Sequence, residues 1–152
     1  MSQDIQSKLQ EFFARPVAIK GTSPLSADAE VLLTVNGQPF TLTRKGKKTA
    51  VTEGAPAKPD MSFEVPTKAL EALVDTHTEE VGEIGIAIAS HLIHPNPDLR
   101  ITVKVHIGLL SLIRKGYLSV LPLGGASFMK YLATKGLTSM SKIRETISKM
   151  KD

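Results

Sequence analysis

The chain has no cysteine and no tryptophan, and only two tyrosines and five phenylalanines among its 152 residues. Without cysteine it has no disulfide framework, no thiolate nucleophile and no thiolate-held metal, which points to a reducing, cytoplasmic setting. It also lacks an unbroken apolar run long enough to cross a bilayer. The greasiest stretch, residues 108–132, is interrupted by Arg114 and Lys115. The opening MSQDIQSKLQEFFARP carries Asp4 and has no basic segment leading into an apolar run, so no signal peptide is expected. The closing KMKD matches neither a peroxisomal nor an endoplasmic-reticulum retention address. No internal repeat or low-complexity tract is present.

What is there reads as strands first and helices later. Residues 3–14 place Ile5, Leu9, Phe12 and Phe13 on one helical stripe, and Pro16 is expected to stop that helix. Residues 30–36 read as a strand, and Asn36-Gly37 is a hairpin signal. In residues 39–45, Phe40 and Leu42 alternate with Thr41, Thr43 and Lys45. A weaker strand covers 49–53 and another covers 61–65. Residues 67–74 suit a helix burying Ala69, Leu70, Leu73 and Val74.

Residues 81–92 satisfy two periods at once. Val81, Ile84, Ile88 and Leu92 share a helix face, whereas Ile84, Ile86 and Ile88 also alternate as in a strand; length and alanine content favour the helix. Residues 99–107 alternate cleanly, with Leu99, Ile101, Val103, Val105 and Ile107 against Arg100, Thr102, Lys104 and His106. Residues 108–114 read as a short helix, 117–121 as a strand ended by Pro122, and 126–135 as a helix capped by Gly136. A last helix starts at Ser139, with Met140, Ile143, Ile147 and Met150 in register. The class is α+β with a largely antiparallel sheet of about five strands.

Two stretches resemble the sterol carrier protein 2 family of small lipid-binding domains. The first is VLLTVNGQPFTLTRKGKKTAVTEG followed by PDMSFEVPTKALEALV, similar to the family's strand hairpin, third strand and proline-aspartate strand leading into a helix. The second is GLLSLIRKGYLSVLPLG followed by FMKYL, similar to its helix, glycine-led strand, glycine and closing helix. The resemblance implies an SCP2-like domain over residues 30–136, with an insertion around 75–107. An N-terminal helix and linker precede it at 1–29, and a basic amphipathic helix follows at 137–152. It also implies a sheet covered by helices on one face, with an apolar tunnel holding a sterol, acyl chain or isoprenoid-type lipid. Leu109, Leu110, Leu112, Ile113, Leu118, Val120, Phe128, Met129 and Leu132 are the candidate lining. Each buried CH₂ of such a ligand contributes about 0.8 kcal/mol, so affinity needs no catalytic group. Each of these side chains is equally at home in an ordinary core.

Charge supplies the second clue. From residue 100 onward ten lysines and arginines face only Glu145 and Asp152, a local charge of +8, while residues 1–99 carry −4. Lys142, Arg144, Lys149 and Lys151 on an amphipathic helix suit an anionic membrane surface. The alternative is a basic interaction module for nucleic acid or an acidic protein, with no lipid cavity. Few aromatics interleave with the basic residues, which disfavours nucleic acid. His91 and His94 stand three apart but join no recognised ligand spacing, so no metal is expected. Ser90-His91 is a pair in sequence only, and no serine sits in a nucleophile elbow. The 123–127 turn, LGGAS, reads as packing rather than a phosphate cradle. Neither a catalytic residue nor a cofactor is expected, and the reading is a non-enzymatic one.

Overall fold

The alternating segments pair into one sheet. The computed structural model describes residues 2–137 and 139–150. Its strands are β1 (Glu30–Val35), β2 (Gln38–Lys45), β3 (Lys48–Glu53), β4 (Met61–Val65) and β5 (Thr102–Val105), in the spatial order β3-β2-β1-β4-β5. Asn36 at φ 52° and Gly37 at φ 80° make the tight turn between β1 and β2, the left-handed pair that Asn-Gly forms at least cost.

The sheet is mixed rather than largely antiparallel. β1 pairs β2, β2 pairs β3 and β4 pairs β5 antiparallel, but β4 runs parallel to β1, with Val31 opposite Met61 and Val35 opposite Val65. The cause is the polar loop at 54–60. It leaves β3 and returns across the sheet instead of turning back as a hairpin, so β4 enters beside β1 in the same direction.

Register then separates the two faces. Val31 opposes Leu42, Leu33 opposes Phe40 and Phe63, and Phe63 opposes Val103, so one face is apolar. Thr34, Thr41, Ser62 and Lys104 fall on the other. Four helices cover the apolar face: α1 (Ser2–Ala14), α2 (Pro16–Gly21), α3 (Thr67–Val74) and α4 (Val81–Leu92). Leu9, Phe12, Val17, Ala69, Leu70, Leu73 and Ile84 pack there against Leu33, Val35, Phe40, Val51 and Val65. Each of these leucine, isoleucine, valine and phenylalanine side chains contributes roughly 1.5–3 kcal/mol on leaving water.

A second apolar cluster lies beyond α4. It is formed by α6 (Gly125–Thr134) and α7 (Met140–Lys149), through Phe128, Leu132 and Ile143, with Ile86 and Ala89 of α4 packed against them. Between β5 and α6 run α5 (Leu109–Arg114) and a 3-10 segment, Leu118–Gly124. Terminal helices meet both rims of the sheet. The Gln6 amide of α1 donates to the Val51 carbonyl of β3 at 3.3 Å, and the Val105 N–H of β5 donates to the Met150 carbonyl after α7 at 3.1 Å.

Several expectations are corrected locally. Pro16 does not only end α1; it opens α2 at the first helical position, where its missing N–H costs nothing. The alternating pattern at 99–107 pairs only as β5, because the Ile101 N–H is taken by the His91 carbonyl at 2.9 Å and the His106 N–H by the Asp60 carbonyl at 2.9 Å. The expected strand at 117–121 is the 3-10 segment. The Tyr117 N–H donates to the Leu112 carbonyl and the Gly116 N–H to the Ile113 carbonyl, so the chain folds back on α5 instead of extending. For residues 81–92 the helical period prevails.

Candidate functional site

The helix α4, VGEIGIAIASHL, carries one charged residue, Glu83. A helix apolar on nearly all sides belongs in an interior. Here Gly82 and Ile84 are buried, but every residue from 85 to 92 is only half-buried. One side, with Ala87, Ile88 and Leu92, meets the sheet core, and another, with Ile86 and Ala89, meets the α6–α7 cluster. Glycines bring the layers together at its first turns. A Cβ on Gly82 would lie 2.3 Å from the Gly124 carbonyl oxygen, and one on Gly85 would lie 2.9 Å from the Phe128 ring. α4 is therefore clamped at its start and loosely covered along the rest of its length.

The expected lining residues divide into three groups. Leu112, Leu118, Phe128 and Leu132 are buried in the packing. Leu109, Val120 and Met129 are half-buried, with Met129 packed on the Phe128–Leu132 cluster. Leu110 is 81 % exposed and Ile113 is 36 % exposed. Among the described residues these nine therefore do not all face one space. A cleft of about 390 Å³ lies elsewhere, its lining mixing Asn36, Glu64, Arg100 and Thr102 with Val65, Pro66 and Pro97.

The basic residues Lys142, Arg144 and Lys149 are exposed on α7, whose Ile143 is buried and Ile147 half-buried against α6. Ser139 caps this helix by accepting the Lys142 N–H at 3.3 Å. Lys151 and the side chain of Met140 lie outside the described residues. His91 and His94 turn to their local backbone: His91 Nδ1 is 2.9 Å from the Ala87 carbonyl, and His94 Nδ1 accepts the Asn96 N–H at 3.0 Å.

Sequence reasoning missed a buried charge. Asp60, 3 % exposed, precedes β4 and is held from three directions. Lys115 Nζ donates to Oδ1 at 2.8 Å, while the Tyr117 hydroxyl and the Glu30 N–H donate to Oδ2 at 2.8 and 3.0 Å. Lys115 also donates to the Asp28 carbonyl at 3.2 Å. A carboxylate this deep persists only when paired and hydrogen-bonded. Lys115-Gly116-Tyr117 puts two donors on one side of a tight turn, which is how α5 is pinned to the sheet. The available signal was that Lys-Gly-Tyr triplet inside a greasy stretch, together with an aspartate at a strand start. Its partner 55 residues away is not visible in local patterning.

Burial, and then the hydrogen bond and charge of Asp60, push the Tyr117 hydroxyl well above the usual tyrosine range. A group whose pKa is raised on folding gives stability that is full below its unfolded value, about 10, and is lost as pH climbs above it. Tyr117→Phe is therefore expected to show a shallower alkaline loss of stability than the parent beyond about pH 10, measured by urea unfolding across pH. Equal alkaline slopes would rule out Tyr117 as the source.

The fold and site define an α+β domain: a five-stranded mixed sheet, one face covered by helices, with a partly covered apolar helix between two packed clusters. No protein-family model matches the chain, and no curated protein matches it. Among solved structures it is similar to one described as "UbiJ-SCP2 Ubiquinone synthesis protein", at 15% identity and a TM-score of 0.42, covering 80% of this chain and 88% of the other. No helix among the described residues is long and apolar enough to cross a membrane.

Proposed function

We propose that the chain binds an apolar lipid without catalysing a reaction on it, carrying the lipid between membranes or presenting it to an enzyme in a cytoplasmic setting. A single observation carries this reading. Eight consecutive residues of an almost uncharged helix, 85–92, are each only half-buried between two apolar clusters. A packed interior covers such a helix completely, because voids forfeit both transfer energy and dispersion contacts. A sterol, acyl chain or isoprenoid tail laid along Ile86 and Ala89, on the α6–α7 side of the helix, would complete that coverage there, each CH₂ adding about 0.8 kcal/mol. Half-buried Val120 and Met129, on the two elements that pack against α4, would border the ligand as its layer loosens, Met129 being the more adaptable.

Native mass spectrometry of the purified protein, with an organic extract of the same sample, tests the reading. The expected result is a retained lipid of defined mass that also appears in the extract. An empty protein that fails to bind fluorescent fatty acids would overturn it and leave the basic interaction module as the better reading.

A further inference from the structure

The large apolar side chains exposed among the described residues are Ile93, Leu110 and Ile113, and two of the three stand on α5. Leu110 and Ile113 are three residues apart, so they form one ridge on one helix face. Single exposed leucines need no explanation, but a paired ridge set among cations does. Arg114, next to Ile113, is 66 % exposed, and its acidic neighbour Asp28 is 3.8 Å away and itself exposed. α7 packs on α5 and contributes more positive charge. At 100° per residue, Lys142 and Lys149 fall on one flank of α7, about 20° apart, with Arg144 on the other. Lys149 lies 3.6 Å from Glu145, and both are solvated; Lys142 and Arg144 have no ion pair among the described residues.

α5 itself does not swing freely. The Lys115–Asp60 pair and the Tyr117 hydroxyl fix its C-terminal end to the sheet, so Leu110 and Ile113 project from a rigid base. An apolar ridge on a rigid mount, flanked by cations, has the chemistry of a monotopic membrane contact. The side chains enter the acyl boundary and the cations meet phosphate and carboxylate headgroups. Nucleic acid would use the cations but has no use for the apolar ridge of Leu110 and Ile113.

We infer that α5 is the membrane-contact element, with Leu110 and Ile113 entering an anionic bilayer surface and Arg114, Lys142 and Lys149 at the headgroups. This surface deepens the lipid-binding reading and rests on it, yet the two fail separately. A retained lipid without vesicle binding overturns the surface; vesicle binding with an empty extract overturns the ligand.

The experiment is co-sedimentation of the full chain with phosphatidylcholine vesicles, with and without phosphatidylserine. Binding is expected only with phosphatidylserine. The double variant Leu110→Ser/Ile113→Ser is expected to weaken it by about tenfold or more, and Leu110→Ser alone, at an 81 % exposed position, is expected to weaken it in part while unfolding at the same temperature. Lys142→Glu/Lys149→Glu is expected to weaken it at low salt. Wild-type binding by the double serine variant, or capture by an RNA oligonucleotide with no vesicle binding, would overturn the assignment.

Discussion

Replacing Asp60 with alanine is expected to cost about 3–5 kcal/mol of unfolding free energy, because it leaves a largely buried Lys115 ammonium with only the longer, solvent-exposed contact to the Asp28 carboxylate at 3.8 Å. The Tyr117 hydroxyl and the Glu30 N–H lose their acceptor at the same time. Loss of one partner is far more costly than the pair is worth, since the remaining groups stay desolvated. Asp60→Asn keeps the shape and one acceptor oxygen but removes the charge, so an intermediate loss is expected. Urea unfolding gives the comparison, a shift of midpoint at unchanged m-value reading directly as lost stability. A cost below about 1 kcal/mol for Asp60→Ala would mean that water replaces the carboxylate and that the corner is wetter than its burial indicates.

Gly116→Ala ranks second, at about 3 kcal/mol or more, because two penalties fall on one residue. Gly116 has φ +88°, a conformation that costs an L-residue roughly 1–2 kcal/mol. A Cβ there would also lie 2.0 Å from the Pro24 carbonyl oxygen and 2.8 Å from its carbon, so backbone has to move, an overpacking cost of about 1–3 kcal/mol. Gly46→Ala is the control. Its φ is +66° but nothing lies within 4 Å, so it pays only the conformational part, about 1–2 kcal/mol. Equal effects at the two sites would show that the Pro24 contact relaxes without strain. Because Gly116 separates Lys115 from Tyr117, its cost is not expected to add to that of Asp60→Ala.

Both effects belong to a part of the molecule that local patterning read poorly. The hairpin at Asn36-Gly37, the alternation in β1 and β2 and the stripes of α1 and α3 follow from period and turn chemistry, and all form where those rules place them. So does the end of α6, where Gly136 at φ 87° and the Leu137 N–H to Leu132 carbonyl bond close the helix. The segment after Gly116 misled because YLSVL has strand composition, whereas its backbone is claimed by α5 and its tyrosine by Asp60. The parallel entry of β4 was hidden because nothing in the loop at 54–60 encodes which edge it will reach. Of the candidate site, the isoleucine-rich helix was legible as a helix. Its incomplete coverage was not, since burial depends on residues far away in the chain.

The two rim contacts of the sheet have a consequence for behaviour at high concentration. An open β-edge offers a row of unpaired N–H and C=O groups on which a second chain can stack, the first step to ordered aggregates. In this protein, Gln6 occupies a carbonyl on β3, and the Met150 carbonyl occupies an N–H on β5. Helices from both ends of the described chain thus act as guards against strand exchange between molecules. Fraying at either end would uncover these edge groups to a second chain.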